Sequence, residues 1–337
     1  MKNIKKLLAC LCSVCLALTL ITGCSSSSSD EKTTKVIIGT QEMPNDEGIA
    51  KAKKYFEKEL GVKVEYKKFD SGKDVATALM TEDIDFGLLG SCPAALSIAQ
   101  GAKVEYIWTH EVLGSVESLA VKDTIKQASD LKGKKIATPF ASTAHFSLLK
   151  YLEENNISQS DVTLLDMQPA EIYTAWESNQ IDATYLWEPS LSQLTNKSIL
   201  VTSEQMAKDG FMTANVELVT TSFAKKNPKL VKKYLSALNK SVELFKNSQD
   251  EAVSAISKYM ELSTDDAKFQ MSGSTWLTAK EQIGSEYMGT AKSKGKTVDN
   301  LYDIAKFLKD QKSITDLPKK SVFKDAVNPS YAESIAK

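Results

Sequence analysis

The sequence contains no arginine: all 42 of its basic residues are lysine. Without the planar guanidinium fork, any oxyanion site in this chain has to be built from backbone amides, hydroxyls or lysine. Histidine is nearly absent too, with two copies, His110 and His145, and there are five cysteines. The formal net charge of -1 over 337 residues leaves no basic footprint for nucleic acid. With 42% hydrophobic and 25% charged residues, the chain is neither disordered nor a polytopic membrane protein. It is long enough for two domains, each with its own core.

The cysteines sort by compartment. Lys2, Lys5 and Lys6 precede an apolar run from Leu7 to Ile21, which ends in Leu20-Ile21-Thr22-Gly23-Cys24. Residues 1–23 read as a signal peptide with a lipobox-like end, and Cys24 as the lipidated first residue of the mature chain. Ser25 to Ser29 extend it into a flexible tether over 24–34. An ordinary secretory signal is the alternative. Cys10, Cys12 and Cys15 leave with the signal, so Cys92 stands alone in the mature domain. One thiol forms no internal disulfide and no multi-cysteine metal site.

From Lys35 onward, short apolar runs alternate with helical periods. Val36-Ile37-Ile38, Val62 to Tyr66 and Phe86 to Leu89 read as strands, with helices between them. The alternation restarts at Lys134 and continues to Trp187, as expected of α/β layers with parallel strands. Past Pro228 the spacing predicts helices over 229–247, 249–261, 277–291 and 298–311. The expected architecture is two α/β lobes around a ligand cleft: lobe 1 from 35–121 plus 223–337, lobe 2 from 122–222. The chain would cross between them near 118–122 and back near 218–222. Two crossings make a hinge, which suits ligand trapping.

In open α/β sheets, ligands sit beyond the carboxyl ends of strands, where helices begin. Four corners fit: Gln41-Glu42 after the first strand, Gly90-Ser91-Cys92, Ser142-Thr143 with His145 one turn on, and Trp187-Glu188. The second and third would face each other across the cleft. Each offers a helix N-terminus with about half a positive charge and hydroxyl donors. Ser91, Ser142 and Thr143 serve equally well as plain N-caps. Trp187 reads as core or pocket wall, His145 as a structural hydrogen-bonder or a ligand contact, and Trp276 as lid or packing.

The strings Lys68-Phe69-Asp70-Ser71-Gly72, Gly87-Leu88-Leu89-Gly90-Ser91-Cys92-Pro93 and Pro139-Phe140-Ala141-Ser142-Thr143-Ala144-His145 resemble the taurine-binding proteins of ABC importers. That group includes sulfonate, nitrate and thiamine-precursor receptors. The resemblance spans roughly 36–311 and implies a periplasmic-binding-protein type II fold. It also implies a small organosulfonate ligand with permease and ATPase partners. The mature chain is expected to be a monomer without a cofactor, tied to the membrane by the lipid on Cys24. The resemblance places an acidic amine contact at Glu117. Where the pattern has an aspartate before the return crossing, this chain has Asn215, and Glu42 or Glu188 could supply the missing charge. Isethionate, an alkanesulfonate, nitrate or a heterocycle is the alternative cargo. An enzyme related to thiamine-pyrimidine synthesis would need a reactive His and Cys cluster, and only Cys92, His110 and His145 survive export. A sensory surface lipoprotein is the third class.

Overall fold

The computed structural model describes residues 33–336. The signal peptide and Cys24 lie outside the described residues. Eleven strands fall within them: β1 Lys35–Thr40, β2 Lys63–Lys68, β3 Phe86–Gly90, β4 Val104–Leu113, β5 Glu117–Val121, β6 Lys135–Thr138, β7 Thr163–Asp166, β8 Ala183–Trp187, β9 Ser198–Thr202, β10 Ala214–Thr220 and β11 Ser274–Trp276. They form a six-stranded sheet, β11-β4-β10-β3-β1-β2, and a five-stranded sheet, β7-β6-β8-β5-β9.

Both sheets are mixed, which corrects the all-parallel expectation. β1 runs parallel to β2 and β3, whereas β10 runs antiparallel to β3 and β4. In the second sheet β5 is antiparallel to β8 and β9. Two of the reversed strands, β5 and β10, adjoin the passages between sheets; the third, β11, lies in the tail. The chain leaves the first sheet at Leu113 and joins the second at Glu117, and it returns ahead of Ala214. The crossings therefore lie at 114–116 and 209–213, several residues before the expected positions. β5 and β10 are buried at every position, although they carry Glu117, Asn215 and Glu217, so their interior pairing sets the boundary and not the following helix.

Local chemistry explains the elements. Asn45 caps the helix Asp46–Ala52 by accepting from Gly48 N (3.2 Å). Pro228 opens the 20-residue helix Pro228–Asn247, whose Val231, Tyr234, Leu235 and Leu238 form a buried stripe against the first sheet. Phe56, Tyr234 and Phe86 stack there at centroid distances of 4.7 and 4.0 Å. The helices Gln249–Met260 and Thr297–Asp310 match expectation within a residue or two. The helix expected over 277–291 does not form. It shrinks to Ala279–Gln282 because Gly284 ends it and Gly289, at φ +72, turns the chain away. A helix not anticipated, Thr264–Ser272, precedes it.

The tail also touches both crossings. Val116 N donates to Gly273 O (3.3 Å) at the first, and Asn300 Nδ2 donates to Met212 O (2.8 Å) at the second. The crossings meet each other where Leu113 N donates to Thr213 O (3.0 Å). A Cβ on Gly114 would lie 2.3 Å from Gly273 O, so the close approach demands glycine there.

Candidate functional site

A cleft lined by residues of both sheets and their loops lies between the sheets, a place where small-molecule sites commonly form. Four helices of at least nine residues begin at its wall: Gly72–Met80, Ser91–Ala99, Thr143–Glu154 and Pro169–Glu177. The first backbone N–H groups of each have no partner inside their helix and carry the positive end of its dipole. Lys73, in the first turn of one of them, is the one cationic side chain lining the cleft among the described residues.

Gly90 and Thr143 bring the lobes together. A Cβ on Gly90 would meet Thr143 Cγ2 at 3.0 Å, so the absence of a side chain lets the two helix starts abut. The cleft is also lined by Gln41, Glu117, Ser142, Trp187 and Asn215. Seven of the twelve expected ligand residues thus share one cavity.

The hydroxyls, however, are spent within the protein. Ser142 Oγ donates to Pro139 O (2.5 Å) and accepts from His145 N (3.1 Å), the geometry of an N-cap. Ser91 Oγ accepts from Ala214 N (3.3 Å) and sits away from the cleft. Thr143 Oγ1 donates to Glu117 Oε2 (2.5 Å). What these corners can offer an anion is their backbone amides, which corrects the expected cradle of hydroxyl donors.

Glu117 also differs from expectation. It receives Thr143, Ser203 Oγ (2.8 Å) and Thr213 Oγ1 (3.5 Å) and is 1% exposed. Burial pushes its carboxyl up to about 7, although the three hydroxyls pull the other way. Cys92 is fully buried, and burial, then the nearby Glu117 charge, hold its thiol well above the ordinary range. His145 Nδ1 accepts from Ala141 N (3.2 Å), and its ring stacks on Phe140 at 4.4 Å. Burial lowers it to about 4, so it is a neutral brace for the strained Ala141 (φ +60) in the corner. Glu42 pairs with Lys51 Nζ (3.0 Å) and does not reach the cleft.

Glu188 and Asn215 share a smaller chamber that adjoins the cleft along Met43, Leu113, Trp187 and Asn215. Glu188 is 4% exposed, and its Oε2 accepts from Ser192 N (2.9 Å). Asn215 Nδ2 donates to Glu111 Oε1 (2.7 Å) and toward Met43 Sδ (3.3 Å). Trp187 is half-buried and walls both spaces. Trp108 and Trp276 are packing residues: the first donates to Asp46 Oδ2 (2.9 Å), and the second lies 4.1 Å from the Phe245 ring.

Sequence reasoning missed Ser71, Gly72, Lys73, Gln168 and Glu111. The Ser-Gly-Lys start of a helix after β2 was the available signal for the first three. Glu111 gave none, because a single carboxylate inside a strand looks solvent-facing until the neighbouring strands are placed. His110 is buried among carboxylates, with Nδ1 2.6 Å from Asp46 and Nε2 3.0 Å from Glu217. Burial opposes its charge, but the two carboxylates outweigh it and hold it well above the usual histidine range. Cys92, His110 and His145 each have separate surroundings and form no reactive cluster among the described residues.

The NMT1/THI5-like family profile matches residues 48–252. The chain is 33% identical over 300 residues to the taurine-binding periplasmic protein of Escherichia coli K12, covering 87% of this chain and 92% of that protein. A putative aliphatic sulfonates-binding protein of Bacillus subtilis 168 is 33% identical over 256 residues, 72% of this chain and 76% of the relative. Among solved structures, the alkanesulfonate-binding protein SsuA from Xanthomonas axonopodis pv. citri bound to MOPS superposes with a TM-score of 0.71 at 22% identity. That match spans 88% of this chain and 98% of the SsuA chain, and it shows the periplasmic-binding-protein fold.

Proposed function

The chain belongs to the NMT1/THI5-like family, and from that premise we propose that it is the extracytoplasmic receptor of an ABC importer, capturing a small organosulfonate, taurine first. It is a binding protein and not an enzyme, and it hands its cargo to a permease driven by an ATPase. One observation carries the cargo class: four helix N-termini and Lys73 face one cleft in a chain without arginine. A sulfonate spreads one negative charge over three oxygens, each able to accept from a separate backbone amide. Helix ends satisfy such an ion without a counter-charge in contact with it.

A thermal-shift panel on the mature chain tests the reading, with taurine, isethionate, ethanesulfonate, nitrate and β-alanine as ligands. Taurine at ~100 times its dissociation constant adds ~2.7 kcal/mol of stability, and the other sulfonates add less. A shift with nitrate alone would transfer the receptor to inorganic anions.

The same reading places the receptor on the membrane as a single chain, lipidated at Cys24 with 24–34 as tether. The sequence supports it through the lipobox-like end and the serine run. Cys24→Ala is expected to move the protein from the membrane pellet to the soluble fraction or to leave its precursor uncleaved. An unmodified residue 24 in protein extracted from native membranes would remove the anchor.

A further inference from the structure

The 25 residues from 218 to 242 hold six lysines and no carboxylate, in a chain whose net charge is -1. Lys240 pairs with Glu59. The other five, Lys225, Lys226, Lys229, Lys232 and Lys233, are exposed and form no ion pair among the described residues. Lys229, Lys232 and Lys233 lie three and four residues apart on one side of the helix Pro228–Asn247, away from its buried stripe. They stand in its first two turns, at the positive end of the helix dipole, and Lys229 and Lys233 repel each other. The fold thus gathers positive charge where its own electrostatics oppose it, and negative charge from outside would relieve it.

This face is the end of the first sheet away from the cleft. β1, β2, β3 and β4 begin there and β10 ends there: Lys35 pairs with Lys63, and Val219 with Phe86 and Glu105. Thr221 N donates to Lys103 O (2.8 Å) and Lys63 N to Thr34 O (3.1 Å), which brings two more exposed lysines to the same end. The carboxylates there are fewer. Glu82 accepts from Ser222 Oγ (2.9 Å) with Asp83 beside it, Asp85 accepts from Ile37 N (2.7 Å), and Glu65 pairs with Lys35 (3.0 Å). The chain outside the described residues enters the fold within this face. Thr33 Oγ1 donates to Asn227 Oδ1 (2.6 Å), and Asn227 stands between Lys225-Lys226 and Lys229. From Cys24 to Thr33 is nine residue steps, at most ~30 Å of extended chain, so a lipid on Cys24 keeps this face within that distance of the bilayer.

We propose that this lysine face rests on an anionic phospholipid surface, so that the tethered receptor stands on the end of its first sheet away from the cleft. Lysines near a bilayer of anionic headgroups are each attracted to it, over a range of about one Debye length, ~8 Å at physiological salt. The contact rests on the reading that Cys24 carries lipid, since the tether supplies the proximity that so short a range requires. Such a contact fixes which part of the receptor moves. The first sheet is held down, and the cleft opens one strand length above the headgroups, ~20 Å for the six residues of β1. The second sheet swings over it from the side of the medium.

Lysine acetylation of the mature chain held on vesicles, read by mass spectrometry, tests this. Coupling the Cys24 thiol to a maleimide lipid reproduces the attachment, and Cys92 does not compete because it is fully buried. On vesicles containing phosphatidylglycerol, Lys225, Lys226 and Lys229 are expected to react about fivefold more slowly than on phosphatidylcholine alone. Salt at ~1 M, where the Debye length is ~3 Å, should remove the difference. Lys135, exposed at the end of the second sheet away from the cleft, should react equally on both. Lys232→Gln combined with Lys233→Gln removes two charges from the face and should return the other three lysines to nearly their phosphatidylcholine rates. Rates that are the same on both vesicles and in solution overturn the membrane contact and leave the anchor standing. Equal slowing on both vesicles would mean that neighbouring copies of the chain cover these lysines, and overturns the contact as well. An unmodified residue 24 in native membranes removes the anchor and the contact together, with no bearing on the cargo.

Discussion

Gly90→Val is expected to weaken ligand binding by two decades or more while shifting the melting temperature of the empty protein only slightly. The backbone at residue 90 is ordinary extended chain (φ -67, ψ 156), so valine costs little locally. Its Cβ, however, would stand 3.0 Å from Thr143 Cγ2 and 3.5 Å from Thr143 Oγ1, on the far side of the cleft. The valine methyls extend beyond that, and a packed contact cannot absorb them without separation of the surfaces. The amides of the two helix starts would then be too far apart to share one anion. Loss of two charge-assisted hydrogen bonds at ~1.5–3 kcal/mol each gives at least that drop, since ~1.4 kcal/mol is tenfold. Small-angle scattering should show the variant more extended than wild type at saturating ligand. Unchanged affinity with an unchanged profile would mean that the lobes do not meet at Gly90 in the bound protein.

The second large effect concerns pH. Glu117 is held up to about 7 by burial, against an ordinary 4.5, and so is Glu47, whose two carboxylate oxygens have no hydrogen-bond partner in the interior. A carboxyl raised in the folded state binds its proton more tightly there than in the unfolded chain. Its contribution is fully present below about 4.5 and is lost as pH rises through about 7. Each group accounts for roughly 3 kcal/mol, at ~1.4 kcal/mol per pH unit. The protein should therefore melt higher at pH 5 than at pH 8. His110, raised by Asp46 and Glu217, works in the same direction. Glu117→Gln separates the groups: it should raise the melting temperature at pH 8 by about 5 °C or more and change it little at pH 5, where wild-type Glu117 already holds its proton. Equal destabilisation at both values would show that the charged form is the one the three hydroxyls require.

Much of this was legible in the chain itself. The alternation of apolar runs and helical periods exposed both α/β units through β1, β2, β3, β6, β7 and β8, whereas β5 and β10 were hidden by Glu117, Asn215 and Glu217, whose burial only the neighbouring strands explain. The glycine, serine and threonine corners marked the helix starts at Gly90 and Ser142. The direction of each hydroxyl was not legible. Ser142 and Thr143 have the same chemistry on paper, and only the placement of Pro139 O and Glu117 assigns their protons. The helix expected over 277–291 stops short because of the left-handed turn at Gly289, which depends on its approach to Ser293 and Gly295. Gln270 sits among Asp265, Asp266 and Lys268 in a polar helix, so no local pattern announces that its oxygen is buried beside Glu188.

The bracing of the crossings has a mechanical consequence. Two strand passages lying side by side define a line about which the lobes can swing, but alone they also allow the halves to twist like a cord. Gly273 grips one passage and Asn300 the other, from a tail that contributes no strand to the second sheet. Phe307, on the same helix as Asn300, wedges edge-on against Phe146 of the opposite lobe at 5.0 Å. Twisting would have to tear this bracket, whereas swinging only rolls one aromatic edge along another. The tail thus turns a flexible joint into a door on a fixed axis, so that every closure brings the same two rims to the same relative attitude. A permease that reads the outer rims would then register whether the door is shut without touching the cargo.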